Sequence, residues 1–113
     1  MNRFCYLFDL IPGSEQRYAD EHATLWDGVA AAMHDAGVTE YTLFRRGTLV
    51  IATGSCNGPV SETFARLERD PVNAAWSAHI RSLMIDPTDD DGRLLFAAEV
   101  WQLPGTTQAS TSS

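Results

Sequence analysis

The chain has 113 residues, room for one compact domain and not for two. Hydrophobic residues make up 44% of it, enough to build a core, although a chain this short buries a smaller fraction of its surface than a longer one and gains from self-association. Eight arginines, no lysine and 15 acidic residues give a net charge of −7, which repels phosphate backbones and anionic lipid and argues against nucleic acid or a membrane surface as a partner.

Residues 3 to 10 alternate, with Phe4, Tyr6, Phe8 and Leu10 on one side and Arg3, Cys5, Leu7 and Asp9 on the other, the period of a half-buried strand. Pro12-Gly13-Ser14 ends that strand and sets Ser14 as a helix cap, with Glu15 and Gln16 in the first turn. A 3.6-residue stripe through Tyr18, Leu25, Trp26, Val29, Ala32, Met33 and Ala36 predicts one long helix over about 15–36, closed by Gly37. Tyr41 to Arg45 and Thr48 to Thr53 read as two strands joined by a tight turn at Arg46-Gly47. After a loop from Gly54 to Pro59, Ser61 caps an expected helix carrying Phe64 and Leu67. Asp70-Pro71 opens another helix through Trp76 and Ile80 to Met84. The acidic turn Asp89-Asp90-Asp91-Gly92 precedes an expected last strand over 94–103, LLFAAEVWQL. It lacks the ligand loop of a calcium site.

One folded domain is thus expected over 1–104, followed by a disordered tail over 105–113 with no apolar residue larger than alanine. The order β-α-β-β-α-β is that of the ferredoxin-like α+β fold, an antiparallel sheet with helices on one face. One helical layer leaves the other face open, and pairing of two sheets in a homodimer covers it. Cys5 and Cys56 form no Cys-x-x-Cys spacing, so neither a metal site nor a redox motif is indicated. A reduced, cytoplasmic chain is expected. The five apolar residues between Arg3 and Asp9 are too few for a signal sequence, and no stretch approaches the roughly 18 apolar residues of a membrane span.

The segment YADEHATLW carries the chemistry. Tyr18, His22 and Trp26 are spaced i, i+4, i+8 and share a helix face with the apolar stripe, which turns an imidazole inward beside a phenol and an indole. That mixture suits a small polar ligand and a proton transfer near neutral pH, whereas the plainer reading is a core histidine bonded to backbone. Tyr41 and Trp76 are placed to face the same space between sheet and helices, with core packing as their plainer role. His34 falls near the solvent-facing end of the long helix, and His79 shares a face with Trp76 three positions earlier.

These residues, with Gly37-to-Tyr41, FRRGTL at 44–49, DPVNAAW at 70–76 and EVWQLP at 99–104, resemble in order and spacing the L-rhamnose mutarotases, small dimeric α/β-barrel proteins. The resemblance covers residues 3 to 103. It implies an isomerase that interconverts the α and β anomers of a 6-deoxyhexose such as L-rhamnose without metal or nucleotide. It also implies that His22 is the catalytic acid/base and that Tyr18, Tyr41 and Trp76 form the sugar site. Ser77 stands where many members have a second tryptophan, and Ala23-Thr24 where Asn-Pro often follows the histidine, so the sugar is less fixed than the reaction. The alternative on the same fold is a cofactor-free monooxygenase or cyclase of the antibiotic-biosynthesis type, for which an apolar cavity is expected where a sugar site is polar.

Overall fold

In the computed structural model, which describes residues 2–104, nine residues of alternating burial form β1 (Asn2–Leu10), whose Phe4, Tyr6, Phe8 and Leu10 all point to the buried side. Then follow α1 (Glu15–Ala23), α2 (Val29–Ala36), β2 (Val38–Arg46), β3 (Leu49–Cys56), α3 (Val60–Arg69), α4 (Pro71–Arg81) and β4 (Met84–Ile85). The sheet is antiparallel in the order β2-β3-β1-β4, and the helices lie on one face of it, the α+β arrangement expected from the sequence. The expected tail over 105–113 lies outside the described residues.

Four local expectations give way. The single helix over 15–36 is two. Thr24 turns its hydroxyl back onto the Asp20 carbonyl at 3.2 Å, and Gly28, at φ 88°, bends the chain before α2 begins. Trp26 therefore sits in a loop and not on a helical stripe. Ser14 precedes α1 but makes no capping bond; its hydroxyl donates to the Ile11 carbonyl at 2.5 Å. Ser61 lies inside α3, which starts at Val60 after Pro59. Asp70 is the real cap between α3 and α4, accepting from the Asn73 amide at 3.0 Å with Pro71 in the first helical position.

The fourth concerns the sheet edge. The regular strand beside β1 is Met84–Ile85 and not 94–103. Asp86 takes φ 42° and Pro87 has no amide hydrogen to donate, so the chain leaves the edge. It loops through the Asp89 turn and returns at Leu95–Ala97, where Leu7 N–H donates to Leu95 and Ala97 N–H donates to Cys5. Phe96 N–H bonds the Leu94 carbonyl, which kinks the segment and stops a ladder from forming.

On the covered face, Gly54 stands between Tyr41 and Phe4 in the strand register. A Cβ there would run into the Glu40 carbonyl oxygen and lie 2.5 Å from the Phe4 ring. The missing side chain lets Phe4 meet Phe64 of α3 edge-on at 5.0 Å and Tyr41 at 5.8 Å. Gly54→Ala is expected to cost about 1–3 kcal/mol by overpacking. For a domain of this size that is a fall in Tm of at least about 4 °C in a thermal melt; an unchanged melt would contradict the close packing at this point.

Candidate functional site

A narrow cavity of about 80 Å³ lies between the covered face of the sheet and helices α1, α2, α3 and α4. Its sheet side carries Tyr6 of β1 and Tyr41 of β2, whose hydroxyls are hydrogen-bonded to each other. Its helical walls carry Tyr18 and His22 of α1, Met33 of α2, Phe64, Leu67 and Glu68 of α3, and Asn73, Trp76, Ser77, Ile80 and Arg81 of α4. The four residues singled out from the sequence, Tyr18, His22, Tyr41 and Trp76, are thus brought together around one space.

His22 is held on three sides. Its ring packs on Tyr18 at 4.4 Å between centroids and meets the Trp76 edge at 5.3 Å, and its Nδ1 lies 2.9 Å from the Tyr18 carbonyl oxygen. A carbonyl can only accept, so Nδ1 carries a proton, and the tautomer this contact selects has its lone pair on Nε2. The backbone bond of a core histidine and the free lone pair of a proton acceptor coexist in one side chain. Among the described residues, neither Nε2 nor the buried Tyr18 hydroxyl has a hydrogen-bond partner. A hydroxyl hidden from water without a partner costs free energy, and a ligand oxygen recovers it.

Trp76 is nearly fully buried and is steadied from behind. Trp26 crosses it edge-on at 5.3 Å, and His79 stacks against Trp26 at 4.9 Å while its Nε2 lies 3.0 Å from Glu21. His79 therefore links α4 to α1 behind the cavity, and His34 is exposed on α2. Trp26 reaches Trp76 from the loop, which helical spacing did not anticipate.

Tyr6, Asn73 and Arg81 also line the cavity and were not singled out from the sequence. Two signals point to them. Tyr6 shares the strand parity of Phe4 and Phe8, and Arg81 follows Ser77 by one helical turn, on the turn after Trp76. Asn73 is tied into the α3–α4 corner, its side-chain amide donating to the Leu67 carbonyl at 3.2 Å. Among the described residues Arg81 makes no ion pair or side-chain hydrogen bond, which leaves its guanidinium available to the cavity. A larger open groove of about 1070 Å³ adjoins along Phe64, Glu68 and Leu94, between α3 and the segment 89–97, and contains none of the four singled-out residues. No group of three or more metal-ligating side chains comes together among the described residues.

The phenols are held protonated. Burial raises Tyr6 well above the usual range, and the neighbouring Tyr41 raises it further. Burial raises Tyr18 too, with a smaller push from Tyr41. Tyr41 is raised by burial and partly eased by its hydrogen bond with Tyr6. These are all the tyrosines of the chain. An unfolded chain releases their protons near pH 10 and the fold retains them, so this stabilisation is complete below about pH 10 and is lost as pH rises above it. The expected slope is roughly 1.4 kcal/mol per pH unit for each tyrosine. In an ultraviolet titration, tyrosinate absorbance should appear only together with loss of the folded circular-dichroism signal; tyrosinate forming near pH 10 in a folded protein would contradict the burial of these phenols.

Comparison with known proteins bears on the family and the fold. The family model described as L-rhamnose mutarotase matches residues 3–103. An L-rhamnose mutarotase of Agrobacterium fabrum is 26% identical over 104 residues, covering 92% of this chain and 97% of its own. One from Burkholderia orbicola is 27% identical over 93 residues, 82% of this chain and 88% of its own. Among solved structures, the crystal structure of an L-rhamnose mutarotase from Formosa agariphila superposes with a TM-score of 0.71 at 19% identity, covering 92% of this chain and all of that one. Tetracenomycin F2 cyclase of Streptomyces glaucescens, a type-II polyketide cyclase, has the same fold, with a TM-score of 0.67 at 15% identity over 93% of this chain and 99% of its own. The match along nearly the whole described length places the chain in the L-rhamnose mutarotase family.

Proposed function

We propose that this protein is an isomerase that interconverts the α and β anomers of a 6-deoxyhexose such as L-rhamnose, with His22 as the acid/base and Tyr18, Tyr41 and Trp76 as the sugar site. The observation that carries this reading is the tautomer of His22: a pinned Nδ1–H leaves a bare Nε2 beside phenols that stay protonated. Mutarotation opens the ring by taking the proton of the anomeric hydroxyl and giving one to the ring oxygen as the carbon–oxygen bond breaks. The aldehyde then turns about the bond between its first two carbons, and the reverse proton transfers close the ring on the other face. Nε2 serves as the base for the anomeric proton, while a phenol that is neutral at rest gives its proton to the ring oxygen from the other side as that oxygen becomes an alkoxide. Ring closure returns each proton to the group that exchanged it, so no net charge or atom is left on the protein at the end of a cycle.

The cavity's polarity favours a sugar over the cyclase or monooxygenase alternative. Its walls offer phenols, imidazole, amide, hydroxyl and guanidinium, several hydrogen-bond groups for a small polyol, whereas a polycyclic aromatic substrate asks for a mainly apolar cavity. Trp76 provides a flat apolar surface on which a sugar ring face or methyl group can rest. Ser77 opens the wall beside it. A cytoplasmic setting fits two free thiols, Cys5 and Cys56, that strand alternation turns to opposite faces of the sheet.

The reading includes a homodimer. The face of the sheet away from the helices carries Leu7, Phe44, Ile51 and Ile85, with Phe44 58% exposed; among the described residues the segment 97–99 lies against one end of this face, where Glu99 pairs with Arg3 at 2.6 Å, and no helix lies on it. Sedimentation at micromolar concentration is expected to give a dimer, and a folded monomer would refute the pairing of sheets. For the reaction, anomer exchange measured by saturation-transfer NMR on a panel of reducing sugars should be fastest with a 6-deoxyhexose. His22→Asn should lower that exchange by about 10²-fold or more with the fold retained. Normal exchange per folded molecule in this variant would remove His22 from the reaction.

A further inference from the structure

The proposed reaction uses Tyr41 but leaves open which way its hydroxyl points. A phenol hydroxyl rotates freely unless something fixes it, and as either donor or acceptor it would offer the sugar opposite signs of charge. We infer that Tyr6 is a positioning residue that donates its hydroxyl hydrogen to Tyr41 and so aims the Tyr41 proton into the cavity, toward the ring oxygen of the bound sugar; this rests on the mutarotase reading of the cavity.

Two observations lead there. The Tyr6 and Tyr41 hydroxyls are hydrogen-bonded to each other on the sheet side of the cavity, and Tyr6 is buried, 7% exposed, with its ring locked between Phe4 and Phe8 on its own strand and crossed by Phe64. The ring cannot swing away, so the partnership is permanent. Arg81, which lines the same cavity, places a positive charge near the Tyr6 oxygen. That charge favours a lone pair of Tyr6 on its own side and turns the Tyr6 proton toward Tyr41. Once Tyr41 accepts from Tyr6, its own hydrogen is free to point at a ligand, and a hydrogen bond received makes it a stronger donor.

The arrangement is complementary across the cavity. The backbone of α1 fixes His22 as an acceptor by holding its Nδ1 proton, and Tyr6 fixes Tyr41 as a donor by filling one of its lone pairs. Mutarotation needs one of each at the same moment. Tyr6 acts through Tyr41 and has no independent step, which separates this role from simple sugar binding.

The test combines Tyr6→Phe, Tyr41→Phe and the double variant, each keeping its ring. On a sugar that the native protein exchanges, Tyr6→Phe should lower kcat by about 10-fold, a modest part of what a positioned acid/base contributes, with KM changed less than about twofold. Added to Tyr41→Phe, it should have no further effect. Additive losses would show that Tyr6 touches the sugar directly, and an unchanged kcat would show that it aims nothing; either overturns the proposal. A structural role alone would lower melting temperature without the kcat-against-KM split. A second readout needs no sugar: with the tyrosine Cζ carbons labelled, the Tyr41 resonance at neutral pH should move in Tyr6→Phe. If it stays put, the phenol pair does not exist in solution. A native protein that exchanges no reducing sugar refutes the mutarotase reading and, with it, the role of Tyr6 in the reaction, while the Cζ resonance still decides whether Tyr6 orients Tyr41.

Discussion

Three rings stand side by side on the covered face of β1, and the site depends on how they pack. Phe4, Tyr6 and Phe8 lie 6.3 and 6.2 Å apart, nearly parallel, and the other elements present ring edges to them. Phe64 of α3 meets Phe4 and Tyr6, Tyr18 of α1 meets Phe8, and Phe96 of the returning edge segment meets Tyr6. Edge-to-face contacts set distance and angle more narrowly than aliphatic packing does. The same contacts that bury the core therefore fix the spacing between Tyr18 on one side of the cavity and Tyr41 on the other. A cavity held in this way needs little rearrangement to position a ligand.

The alternation of β1 and the stripe of α1 were legible because each is a local, periodic pattern. Tyr18 and His22 fall one turn apart inside an unbroken helix, so spacing alone placed them together. Trp26 was assigned to that stripe as well, and it reaches Trp76 by another route, because Thr24 and Gly28 interrupt the helix through a side-chain bond and a backbone angle that hydrophobic periodicity does not register. The edge of the sheet was misplaced for a related reason. Residues 94–103 have the composition of a strand, but pairing is decided by what β1 has left to offer, and Met84–Ile85 takes the first part of that edge. Tyr6 escaped notice because a buried aromatic on a strand looks like core until its hydroxyl finds a partner 35 residues away.

Fold and chemistry part company in this architecture. Two solved proteins of different kinds, an L-rhamnose mutarotase and a polyketide cyclase, superpose on this chain almost equally well. What separates such activities is a handful of side chains on a shared frame. Here Tyr41, Tyr18, His22 and Arg81 bring polar atoms into a space that the frame would otherwise fill with hydrocarbon.

The interrupted edge beside β1 has a consequence for how these molecules behave in a crowd. A long, straight outer strand offers a row of unpaired amides and carbonyls on which another chain can build. Here the outer segment pairs for two residues, departs at Asp86 and Pro87, and comes back only at Leu95–Ala97, so the row is broken and partly covered by an acidic loop. The opposite edge, β2, ends in exposed Arg45 and Arg46. With both rims irregular or charged, stacking strand to strand into open-ended fibres is discouraged.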